Sequence, residues 1–217
     1  MTRRVGNPGA SRGRSRKRHQ PLAARRHAGP VSEKEVSVEP LESGPYTLAY
    51  LETAPNDGRR REIIDGGLFV TPGASTIHQR AVLRLGAKLD SACPAGPEVL
   101  VAPFDYQPTS ERSLQPDVLV CSPEDHGFKH ARRPLLLAVE ILSPSSKMID
   151  LLLKRGVYEQ AGVGAYWILD PVQESLTVLE LVDGTFVERD VVIGEKVFEA
   201  TLPFPVQIVP AELLRDR

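Results

Sequence analysis

Large apolar side chains are nearly absent from the first 40 positions and then recur in two distinct periods. Short runs come first. Arg59 to Glu62 leads into Ile63-Ile64, and Asp65-Gly66-Gly67 separates these from Leu68-Phe69-Val70, the pattern of a hairpin. A helical period follows, with Ile77, Ala81, Val82, Leu85 and Leu89 on one face of a helix from about Ser75 to Ala92, capped by Ser75 or Thr76. A shorter helix is expected between Tyr46 and Thr53, stopped by Pro55-Asn56-Asp57-Gly58. Val99 to Pro103, Asp105 to Gln107 and Val118 to Cys121 read as strands, with a polar loop from Pro108 to Ser113. The most apolar stretch, Leu135 to Leu142, should lie at the centre of a sheet. A helix is expected from about Met148 to Ala161, with Gly162 at its C-terminus. Tyr166 to Leu169 is another buried strand, and Leu176 to Val182 with Thr185 to Val192 brackets a hairpin at Asp183-Gly184. Val197-Phe198 and the proline-rich segment from Leu202 to Leu214 read as peripheral turns and a short final helix. This order implies an α/β fold, with a central mixed sheet flanked by helices and antiparallel hairpins at its margins.

Composition changes this picture at one end only. A hydrophobic share of 41% is enough for a core in a 217-residue chain, and one domain over residues 41–217 is expected. Residues 1–40 cannot bury enough surface to offset ordering and are read as a disordered basic tail. Nine of the 27 basic residues lie before His27 with no acid among them. The remainder therefore sets 18 basic residues against all 28 acids, a formal charge of −10. The tail could neutralise phosphates as a basic arm. The absence of interleaved aromatic residues favours a merely solvated tail. Two cysteines, Cys93 and Cys121, imply no disulfide framework and fit a reducing, cytoplasmic compartment. No apolar run reaches the roughly 20 residues of a membrane-spanning helix, and no apolar core follows the first arginines as in a signal peptide.

The candidate chemistry surrounds the central strand. Asp117 follows a proline at the start of a short strand, and Glu140 interrupts an otherwise apolar run. A carboxylate there is costly to bury without a cation, a metal or access to water. Two hard oxygen ligands on adjacent strands suit Mg²⁺ or Mn²⁺. Asp150 and Lys154, at i,i+4, share a helix face with Tyr158 one turn further. The lysine could thus reach an attacking water or developing phosphate charge. Singly, each residue has a plainer reading: a turn acid, a buried Glu140–Lys154 pair, or a surface pair of Asp150 and Lys154 worth about 0.3–0.5 kcal/mol. Arg59, Arg60, Arg61, Arg80 and Arg84 are a candidate basic patch or a solvated face.

Gln115 to Val120, Ala138 to Ser146, Asp150, Lys154, Tyr158, Ala161-Gly162-Val163 and Tyr166 to Pro171 together resemble the Uma-type restriction endonuclease family of the PD-(D/E)XK nuclease superfamily. The resemblance extends over roughly residues 45–214. It implies a restriction-endonuclease-like fold that cleaves DNA with a divalent metal. By position, Asp117 and Glu140 match the two acids, which would bind the metal. The superfamily lysine two residues after the second acid is replaced by Leu142, and Lys154 resembles a substitute from the next helix. Glu62 matches an upstream acid able to act as a third ligand or to orient water. Arg61 stands where the family often has an aromatic residue, which bears on the approach to Glu62. His78 is either a phosphate contact or a satisfied histidine at a helix start. A non-catalytic nucleic-acid-binding protein on the same fold is the alternative, and a hydrolase of small phosphate esters a third. A homodimer would suit double-strand cleavage.

Overall fold

The computed structural model describes residues 45–143 and 147–216. The expected basic tail, and the Pro144-Ser145-Ser146 part of the turn after the central strand, lie outside the described residues. Chain order begins with α1 (Leu48–Thr53), β1 (Arg60–Ile64), β2 (Gly67–Thr71), α2 (Thr76–Ala92), β3 (Glu98–Val101), β4 (Asp105–Thr109), β5 (Arg112–Leu114), β6 (Val118–Cys121) and β7 (His130–Ala131). The central strand β8 (Leu137–Ile141) is followed by a π-helical turn (Ile149–Lys154) continuing into α3 (Arg155–Gln160). Next come β9 (Ala165–Asp170), β10 (Ser175–Val182), β11 (Thr185–Ile193), β12 (Phe198–Ala200), β13 (Val206–Ile208) and α4 (Pro210–Leu214). Two hairpins form where turn residues take positive φ, at Asp65-Gly66 and at Asp183-Gly184.

The result is the expected α/β fold of mixed sheet and flanking helices, with its strands shared between two main sheets. The larger runs β11-β10-β9-β8-β6-β3, and the smaller runs β2-β1-β5-β4-β7. Strand β8 lies inside the larger sheet, parallel to β9 and antiparallel to β6. Its two faces serve two cores, as a two-residue period requires. Leu137, Val139 and Ile141 join Trp167, Leu169, Leu85 and Leu89 on the face covered by α2 and α4. Ala138 faces the other way, with Leu119, Tyr158, Tyr166 and Ile168. Glu140 therefore belongs to the second face, two residues along from Ala138.

Three expectations are corrected. The stretch Pro108 to Ser113 is not a loop throughout, because β4 and β5 form a hairpin across it, paired at Thr109 and Arg112. The helix after the central strand opens with a π-helical turn, where buried Asp150 and Lys154 are both drawn toward one site. The proline-rich end is not peripheral, since Phe198, Phe204, Ile208, Leu213 and Leu214 complete the first core. The basic patch also divides. Arg80 and Arg84 bind carbonyl oxygens of Leu214, Glu212 and Arg215 at the end of α4, Arg61 pairs with Asp57, and Arg60 turns inward.

Candidate active site

Glu62, Asp117, Glu140 and Lys154, drawn from β1, the start of β6, β8 and the π-helical turn, meet at one buried centre. The sheet register explains the meeting of the two central acids. Val118 pairs with Val139 across the antiparallel β6–β8 ladder, so the next residues outward are Asp117 and Glu140. The Asp117 amide donates to the Val139 carbonyl at 2.9 Å, and the Ile141 amide donates to Asp117 Oδ2 at 2.7 Å. Backbone geometry thus fixes Asp117 before any side-chain partner is counted. Glu62 is held similarly, its Oε1 accepting the Gln115 amide at 2.8 Å.

Lys154 Nζ lies 2.9 Å from Glu62 Oε1, 3.1 Å from Glu140 Oε1 and 3.2 Å from Asp150 Oδ1. The surface-pair reading of Asp150 and Lys154 is therefore wrong: each is almost wholly buried. Tyr158, one turn on, donates its hydroxyl to Glu140 Oε1 at 2.7 Å. His78, near the start of α2, places Nε2 3.0 Å from Asp117 Oδ2 and so buttresses that acid. Of the two readings of His78, the satisfied histidine near a helix start is the one this hydrogen bond matches.

In the sequence Arg60 stood only as one member of the candidate basic patch. Its Nη1 lies 2.8 Å from Asp117 Oδ1, and its Nη2 lies 3.4 Å from Glu62 Oε1 and 3.5 Å from Glu140 Oε2. The available signal was strand period: Arg60 and Glu62, two apart on β1, share a face, whereas Arg61 points away to Asp57 at 2.8 Å. Arg61 consequently does not obstruct Glu62. The centre opens into a cleft of about 550 Å³ bordered by Arg59, Thr71, Ser75, Gln79 and Gln115.

Four buried carboxylates, Glu62, Asp117, Glu140 and Asp150, thus face two permanent cations, Arg60 and Lys154. The imbalance sets their proton affinities. Burial raises Asp117, but the His78 hydrogen bond and the Arg60 charge outweigh it and hold the carboxyl down to about 2. Burial likewise opposes ionisation of Glu62, yet Arg60, Lys154 and the Gln115 amide keep it below the usual range. For Glu140, burial wins over the Lys154 charge and is reinforced by Asp150 and Asp117, pushing the carboxyl up to about 8. One surplus acid holds its proton.

A pH dependence follows. The folded chain binds the Glu140 proton more tightly than the unfolded chain does, so this contribution to stability is complete below about pH 4.5. It is lost as pH rises through about 8. Metal-free wild type should therefore lose stability relative to Glu140→Gln across that window, by on the order of a few kcal/mol. Denaturant titrations with a chelator at both ends of the window measure this. An unchanged difference between the two proteins would contradict the raised affinity.

In donor chemistry the acids fit a hard divalent cation. In arrangement they are closed around Arg60 and Lys154, and among the described residues no three His, Cys, Asp or Glu side chains form a ready-made metal site. Among these residues, too, no helix is long and apolar enough to cross a membrane.

A family model described as "Uma2: Putative restriction endonuclease" matches residues 48–212. Among solved structures, the chain is similar to "a putative nuclease belonging to DUF820" from Anabaena variabilis ATCC 29413. The TM-score is 0.63 at 16% identity, over 78% of this chain and 98% of that one, a likeness of fold. A search of the curated proteins found no match.

Proposed function

The chain belongs to the Uma2 family, and on that premise we propose that it is an endonuclease cutting phosphodiester bonds in DNA with Mg²⁺ or Mn²⁺. The observation that carries this reading is the convergence of Asp117, Glu140 and Lys154, from two adjacent strands and a helix, on one buried centre opening into a cleft. Asp117 and Glu140 would hold the metal, with Glu62 orienting water or serving as a further ligand. A divalent ion there supplies Lewis acidity toward the phosphate and acidifies water.

The protein's own groups do the rest. Asp117 is aimed by the Ile141 amide and by His78, so its free electron pairs have a fixed direction. Tyr158 and Lys154 both donate to Glu140 Oε1, so Oε2, turned toward Arg60, is the oxygen that would be offered to a metal. Lys154 carries its proton firmly: burial weakens that hold, but Glu140 and Glu62 more than restore it. It is therefore a charge donor rather than a base, suited to orienting water or offsetting negative charge in the transition state. The cleft walls offer Arg59 and Ser75 for phosphate contacts.

The test is nicking of supercoiled plasmid with Mg²⁺ or Mn²⁺ by wild type, Asp117→Ala and Glu140→Ala. Cutting by wild type alone is the expected result. Equal cutting by all three would sink the site assignment. Metal binding by wild type without cutting would favour the alternative, a nucleic-acid-binding protein that keeps the fold without the chemistry. The occupation of the centre by two cations is the observation on that side.

A further inference from the structure

Arg60 poses a problem that the proposed function does not solve. Its guanidinium spans Asp117 Oδ1 and Glu140 Oε2, the two acids assigned to the metal, and also reaches Glu62. A guanidinium and a divalent ion cannot share those oxygens at close range without strong mutual repulsion. The fit is also incomplete, because Arg60 Nε is buried with no hydrogen-bond partner among the described residues. A planar fork using its full donor set would engage that nitrogen too. Lys154, by contrast, contacts Glu62, Glu140 and Asp150, and among the described residues it makes no ion pair with Asp117.

The position of Arg60 in the chain gives the side chain somewhere else to go. It is the first residue of β1, paired with Thr71, and it follows Gly58 in a positive-φ turn. Thr71, Ser75 and Gln79 border the cleft beside it. Arg60 itself borders the cleft. There its fork matches a phosphate, which accepts two parallel hydrogen bonds from one arginine.

We propose that Arg60 is the resident counter-cation of the metal-free centre, that a divalent ion displaces it, and that the freed guanidinium then binds the nucleic-acid backbone in the cleft. This rests on the assignment of Asp117 and Glu140 as metal ligands. Its consequence is an ordered exchange: Arg60 holds the acids together before metal arrives, and contributes to DNA binding only afterwards.

Calorimetric titration of Mn²⁺ into the full chain, without nucleic acid, tests the first half. Arg60→Gln should bind Mn²⁺ at least tenfold more tightly than wild type, while Asp117→Asn should lose binding. Melting curves add an independent readout, in which Arg60→Gln melts lower than wild type without metal and gains more from Mn²⁺. Should Arg60→Gln fail to fold, Arg60→Lys keeps the charge without the fork and should still bind Mn²⁺ several-fold more tightly than wild type. Unchanged or weaker binding by the foldable Arg60 variant, with Asp117→Asn still inactive in binding, would overturn the exchange and leave the metal site standing. Asp117→Asn binding like wild type, or no binding by any variant, would bring down the metal assignment and the exchange with it. The second half is read from a short DNA duplex, whose affinity should fall in Arg60→Gln with Ca²⁺ present and stay unchanged with a chelator. An equal loss in both conditions, or no loss in either, would overturn the metal-dependent release.

Discussion

Lys154→Met should lower stability by about 3–5 kcal/mol and reduce DNA cleavage by roughly 10²-fold or more. The substitution keeps the length of the stem but removes the charge shared by Glu62, Glu140 and Asp150. Those acids are buried, so losing their partner exposes the full cost of an uncompensated charge instead of the small net value of a surface pair. Below about pH 8 Glu140 already holds its proton, so there it adds no uncompensated charge when the lysine is lost. The destabilisation should accordingly be smaller at pH 5 than at pH 8.5. Lys154→Arg should preserve more stability than activity, because the charge remains while the fork cannot fit a space shaped for three close contacts. Denaturant melts and nicking rates, both taken where the variants are folded, separate the two effects. A change of under about 1 kcal/mol with cleavage intact would show that Lys154 neither supports the acids nor takes part in the reaction.

Trp167→Ala should cost about 3–5 kcal/mol, which for a protein of this size lowers the melting temperature by several to more than ten degrees. Trp167 is fully buried in β9, parallel neighbour of the strand that carries Glu140, and its ring stands edge-on to Phe198 with centroids 5.6 Å apart. Alanine would leave a cavity between the sheet and the C-terminal segment. The indole Nε1 has no hydrogen-bond partner among the described residues, so the native side chain already bears a desolvation cost. Trp167→Phe removes that orphan donor while keeping an aromatic ring, and its cost should fall well below that of alanine. Comparable losses for phenylalanine and alanine would contradict this, showing that neither the retained ring nor removal of the donor offsets loss of the indole.

The sequence disclosed much of this fold because its strongest signals were local. Asp65-Gly66 and Asp183-Gly184 marked two of the hairpins, Ser75 marked the start of α2, and a five-residue apolar run marked β8. Asp117 and Glu140 stood out because a charge is conspicuous in an apolar context. What stayed illegible depended on partners distant in the chain. Arg60 looked like one member of a basic cluster, since nothing local separates an arginine that turns in toward Asp117, 57 residues away, from one that turns out toward Asp57. The short strands β12 and β13 were hidden for the same reason: each is three residues long, and only the packing of Phe198 and Ile208 on the core defines them. His78 was visible as a residue but not as a buttress, because its partner lies 39 positions on.

The π-helical turn places an unusual demand on the segment between the central strand and α3. Lys154 and Tyr158 both reach the same Glu140 oxygen, and Asp150 reaches Lys154 from the preceding turn. In an ordinary α-helix, residues four apart drift about 40° around the axis, so three such residues in succession would fan away from one target. The wider turn over Ile149–Lys154 takes up that drift. Leu152 and Leu153, within it, lie largely in solvent and make no contribution to the centre through their side chains. Their contribution is to be present. At these two positions the number of residues therefore matters more than their identity, and other side chains should serve there as long as the count stays fixed.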